Sequence, residues 1–147
     1  MVSSPEISVH SVVKSIIGNA RNIKNASVLS PGSIPGGKVY RLTADMTGKG
    51  GDIVGLVRCF VYVPSDESLG SLVRVEWTRH AFGFWYRVDF YVNDGDSELD
   101  IAGRLREIAR WIKVTATGSV NVGSMNRMFR RVKKNPVMDR VNRFSAI

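Results

Sequence analysis

Thiols and imidazoles are scarce in this chain: one cysteine, Cys59, and two histidines, His10 and His80, among 147 residues. A single thiol rules out an intramolecular disulfide, and three such groups scattered along the chain make neither a zinc cluster nor a nucleophile–base pair. No catalytic residue, metal site, cofactor or small-molecule substrate is therefore expected. Cys59 lies within an apolar run, where a thiol serves as a small buried hydrophobe. Long apolar runs are missing as well. No window approaches the roughly 20 residues a transmembrane helix needs, and residues 1–13 lack the basic start and continuous apolar stretch of a secretory signal. These absences lead to the expectation of a soluble intracellular protein, cytoplasmic or nuclear, that is neither secreted nor membrane-spanning.

What the chain does hold is a globular composition with a lopsided charge. Three Trp, four Tyr and six Phe within a 44% hydrophobic chain suffice for one core of ordinary domain size. Residues 121–147 contain seven basic side chains (Arg127, Arg130, Arg131, Lys133, Lys134, Arg140 and Arg143) against the single acid Asp139, which places +6 of the formal +8 on this segment. A nearly neutral domain over residues 1–120 with a basic extension over 121–147 is the organisation expected, and such an extension is suited to docking on a polyanion.

Local patterns divide the domain into helices and strands. Ser4, Pro5 and Glu6 suit a helix start, and Val9, Val12, Val13, Ile16 and Ile17 follow helical spacing, predicting a helix over about 5–18 that extends at most to Lys24. The prolines and glycines of 26–37 predict a loop. Period-two runs over Lys38–Met46, Ile53–Val63, Leu72–Arg79 and Phe84–Asn93 predict four strands, and their short separators require antiparallel pairing. A second helix is predicted over Glu98–Lys113, with acids at its start, Arg110 and Lys113 near its end, and a buried stripe through Ile101, Leu105, Ile108 and Ile112. The Thr/Gly/Val segment 114–122 reads as an edge strand or a linker. The predicted class is α+β: a four-stranded antiparallel meander flanked by an N-terminal and a following helix (α-β4-α), with a basic helical tail.

Two groups of residues point to binding. In 125–134 the stripe Met125, Met128, Phe129 and Val132 is surrounded by Arg127, Arg130, Arg131, Lys133 and Lys134, a basic amphipathic helix; Arg140 and Arg143 extend its charge. Strict alternation along the strands gathers Arg41, Arg58, Phe60, Tyr62, Arg74, Trp85, Arg87 and Tyr91 on one side of the sheet. Flat rings interleaved with guanidinium groups form a surface on which unpaired bases stack while phosphates are neutralised. Asp45, Glu76 and Asp89 fall on the same side and offer the arginines cross-strand partners instead. Other candidates are weaker. The glycine-rich turn 48–51 lacks a phosphate-loop pattern, and Asp94, Asp96, Glu98 and Asp100 suit a helix N-terminus better than a cation.

The expected function is nucleic-acid binding, to RNA or single-stranded DNA and largely without sequence preference, with homo-oligomerisation and peripheral contact with anionic membranes as further expectations. The alternative is a self-associating structural protein, matrix- or coat-like, whose basic arm docks on nucleic acid or an anionic membrane.

Overall fold

The computed structural model describes residues 8–66, 68–93 and 95–118. In chain order these form α1 (Val9–Ile16), β1 (Ile23–Ile34), β2 (Gly37–Thr47), β3 (Ile53–Pro64), β4 (Ser71–Arg79), a 3-10 turn (His80–Phe82), β5 (Tyr86–Val92) and α2 (Glu98–Thr117). The strands make one antiparallel sheet in the order β1-β2-β3-β4-β5. The start of the first helix at Ser4–Glu6 and the basic helix at 125–134 lie outside the described residues.

The expected four-stranded meander is corrected to five strands. The additional strand occupies the segment predicted as a loop, and the residues that suggested a loop are accommodated without breaking the ladder. Pro35 and Gly36 form the two-residue turn between Ile34 and Gly37, with Gly36 at φ +85°, a conformation that glycine tolerates. Pro31 lies where the register jumps from Leu29↔Arg41 to Gly32↔Val39, so that two residues of β1 oppose one of β2. A second jump separates Lys24↔Asp45 from Ser27↔Thr43 and contains Asn25 at φ +57°, whose amide donates to Asp45 Oδ2 at 2.8 Å. Both irregularities sit on an edge strand, where a missing N–H removes no inner ladder bond and a bulge is accommodated. They also scramble the period-two pattern, which is why alternation does not reveal β1.

The helices differ from expectation in length. Extension of the first helix toward Lys24 is overturned: α1 ends at Ile16, and Asn22 is pinned to the end of β2, donating through Nδ2 to the Thr47 carbonyl at 2.8 Å and accepting from Thr47 N at 2.9 Å. The second helix instead runs one turn past Lys113 to Thr117. Thr115 and Thr117 return their hydroxyls to the carbonyls of Trp111 and Lys113 at 2.9 and 3.0 Å, and Gly118, at φ +76°, closes the helix. Its start is a capping box in which Ser97 Oγ accepts from Asp100 N and the Asp100 carboxylate accepts from Ser97 N.

Both helices pack on the same face of the sheet. Val12, Val13 and Ile17 join Ile101, Leu105, Ile108 and Ile112 over Leu42, Met46, Val57, Cys59, Val73, Val75 and Trp77 in one core cluster. Each fully buried aliphatic side chain there contributes about 1.5–3 kcal/mol. Trp77, fully buried, donates its indole N–H to Thr115 Oγ1 at 3.0 Å, which locks the end of α2 to the central strands. Arg79 donates to the Thr115 carbonyl at 3.2 Å, placing a cation at the helix C-terminus. The layer order is therefore helices, core and sheet, and the other sheet face carries the predicted arginines and aromatics.

Candidate nucleic-acid interface

The register aligns three rows across the face opposite the helices. Val39, Tyr62, Leu72 and Tyr91 form one; Arg41, Phe60, Arg74 and Asp89 the next; Thr43, Arg58, Glu76 and Arg87 the third. No register shift interrupts these rows between β2 and β5, so alternation survives there and side chains in a row are separated by one strand spacing, about 4.8 Å. Trp85, just before β5, completes the group: the Arg58 guanidinium carbon lies 4.1 Å from the centroid of its ring. All eight sheet residues gathered by alternation thus belong to one side.

Their burial divides them. Val39, Phe60, Tyr62 and Leu72 form a second, smaller hydrophobic cluster with Ile34 and Tyr91 packed against it. Phe60 and Tyr62 are buried, and their rings lie inside this cluster. Arg74 has no exposed surface and makes a two-pronged ion pair with Asp89, Nε to Oδ1 at 2.7 Å and Nη2 to Oδ2 at 3.1 Å. This fork geometry is the strongest arrangement for a guanidinium and carboxylate, and desolvation makes it hard to open. Arg41 and Tyr91 are half-buried.

The solvent-facing part is Arg58, Trp85 and Arg87. Trp85 is 41% exposed, and the side chains of Arg87 and Arg58 are 42% and 34% exposed. Glu76 accepts from Arg58 Nη2 at 3.1 Å, Asp89 lies 3.6 Å from Arg87 Nε, and the buried Nε of Arg58 has no hydrogen-bond partner among the described residues. The two carboxylates hold the guanidinium groups in place without neutralising the face completely. A flat ring supported by an oriented guanidinium, with a second guanidinium two strands away, can stack an unpaired base and contact its phosphate.

Sequence patterning passes over Leu56, which is 39% exposed in the row extending toward Trp85, where it pairs with Thr78. Its place in the β3 alternation, two residues before Arg58, was the available signal. Also passed over is a basic row on α2, Arg106, Arg110 and Lys113, at i, i+4 and i+7 spacing. Arg110 and Lys113 read from sequence as charges at the helix end, but α2 continues beyond them to Thr117.

Two further titratable groups, His10 and Cys59, make structural contacts. His10 stacks on Tyr40 at 4.4 Å with nearly parallel rings and hydrogen-bonds to Ser8; burial, helped by the Lys14 charge, lowers its pKa. Burial pushes the Cys59 thiol far up, with the Glu76 carboxylate adding to the effect. No group of three or more potential metal ligands occurs among the described residues, and none of their helices is long and apolar enough to cross a membrane. Comparison with protein-family models, with curated proteins and with solved structures finds no match.

Proposed function

We propose that the chain is a small nucleic-acid-binding protein that takes RNA or single-stranded DNA largely without regard to sequence. The observation that carries this reading is the half-exposed Trp85 under the Arg58 guanidinium, on a sheet face that neither described helix occupies. A base stacks on Trp85, contributing about 1–3 kcal/mol, while Arg58 and Arg87 contact the adjoining phosphates. The basic segment 121–147 supplies the electrostatic attraction, and its charge excess over the nearly neutral domain supports that division of labour.

The test is a salt series on the full chain with labelled single-stranded RNA and DNA. Trp85→Ala is expected to weaken binding by about 5- to 150-fold, the equivalent of one lost stack, without altering the salt dependence. Glutamine in place of Arg127, Arg130, Arg131, Lys133 and Lys134 is expected to flatten the slope of log K against log salt by about 3.5, at roughly 0.7 per phosphate contact on a single strand. Absence of binding to any nucleic acid at low salt would overturn the reading. Ordered assembly of the protein alone, together with that result, would favour a structural protein instead.

A further inference from the structure

Opposite the sheet interface, the surface between α1 and α2 carries a second concentration of charge. Two adjoining cavities, of about 240 and 350 Å³, share Ser15, Ile16 and Arg106 in their walls and form one groove along the helix pair. Its wider part is walled by Arg21, Arg106, Arg110 and Lys113. All four are exposed, and no ion pair within 4 Å links any of them to an acid among the described residues. Glu98, the only acid lining the groove among the described residues, is at its far end, eight residues from Arg106 and about 12 Å along the helix axis.

Like charges at i and i+4, as in Arg106 and Arg110, destabilise a helix by about 0.2–0.5 kcal/mol, and an acid at either position would form a favourable pair instead. The three α2 cations span about 10.5 Å along the axis and, at i, i+4 and i+7, share one side of the helix, so one extended backbone can pass all three. Small or half-buried apolar residues, Ile16, Ala20 and Ala109, floor the groove, while the Ser15 hydroxyl supplies a neutral donor at its middle. Three guanidinium forks and an ammonium along one channel match the repeating single charges of a phosphodiester chain.

We infer that the α1–α2 groove is a phosphate-backbone track for nucleic acid, formed by Arg21, Arg106, Arg110 and Lys113 and separate from the sheet face. This rests on the nucleic-acid reading above and adds to it a second contact surface on the opposite side of the domain. The groove reads no bases. It contributes counterion release only, so its loss changes salt dependence, whereas loss of Trp85 does not.

The experiment compares three full-length proteins for binding to labelled oligouridylate across a salt series: the parent, Arg106→Gln/Arg110→Gln/Lys113→Gln, and the charge-matched control Lys14→Gln/Lys24→Gln/Lys38→Gln, whose lysines are exposed outside the groove. Circular dichroism and thermal melting establish that all three fold alike. The groove variant is expected to lose affinity and to flatten the log–log slope by about 2, three contacts at roughly 0.7 each, while the control stays close to the parent. A parent that binds alongside a groove variant of unchanged slope would overturn the groove and leave the sheet interface standing. Equal losses in groove variant and control would overturn it too, showing that net charge alone governs. A parent that binds no nucleic acid would overturn both readings together.

Discussion

At the scale of single residues, this protein is governed by how each polar group on the sheet is compensated. Arg74 and Asp89 are both essentially without exposed side-chain surface, and they compensate each other through two contacts. Asp89→Ala would leave a buried guanidinium without its carboxylate, and the expected loss is about 3–5 kcal/mol, measured as a fall in the urea midpoint. The apolar pair Arg74→Met/Asp89→Leu should recover most of that loss. If Asp89→Ala proved as stable as the parent, the pair would have to be open in solution. Arg58 and Arg87 use the same kind of partner differently: their carboxylates orient them while leaving surface exposed. The residue types of this face, and its parity along β2–β5, are legible in the sequence. Which arginine is sealed and which remains accessible is not, because burial depends on the neighbouring strands and on what packs over each row.

Among the elements, α2 and β1 show how local signals succeed and fail. The acids before and within the first turn of α2 correctly mark its start, and the capping box explains why Ser97 and Asp100 are spaced three apart. Ser97→Ala is expected to lower stability by about 1 kcal/mol, detectable as a reduced melting temperature with unchanged helix content in the native baseline. The C-terminus of α2 was less legible. Thr, Gly and Val weaken helix propensity, yet Thr115 is held from outside the helix by Trp77 and Arg79. β1 reverses the case: proline and glycine argue for a loop, and cross-strand pairing with β2 imposes a strand with two bulges. Both departures have one cause. Tertiary hydrogen bonds and burial exceed the few tenths of a kcal/mol per residue that distinguish local propensities.

For the whole molecule, the helix layer and sheet enclose a core in which Cys59 is 1% exposed. Its raised thiol pKa has a definite sign. Because the folded state holds the proton more tightly, the associated stability is fully present below the ordinary thiol value, about 8.5, and declines as pH rises from there toward the higher folded value. Tyr86, whose phenol is also raised by burial, acts in the same direction above about 10. Urea midpoints are therefore expected to fall on the alkaline side, less steeply in Cys59→Ala. Native Cys59 should resist alkylation until denaturant opens the core; rapid labelling of the native protein would contradict its burial.

The sequence by itself determined the α+β class, the antiparallel pairing, the parity of the central strands and the concentration of charge in residues 121–147. These follow from side-chain periodicity, short connections and composition, all of which are local or additive properties. Only the tertiary structure decided that 23–34 is a fifth strand, that Phe60, Tyr62 and Arg74 are withdrawn from solvent while Trp85 remains accessible, and that Arg21 joins the α2 cations along one groove. Those outcomes depend on pairing partners and packing across long sequence separations, where the free energy of a neighbour's contact outweighs the preference of the residue itself.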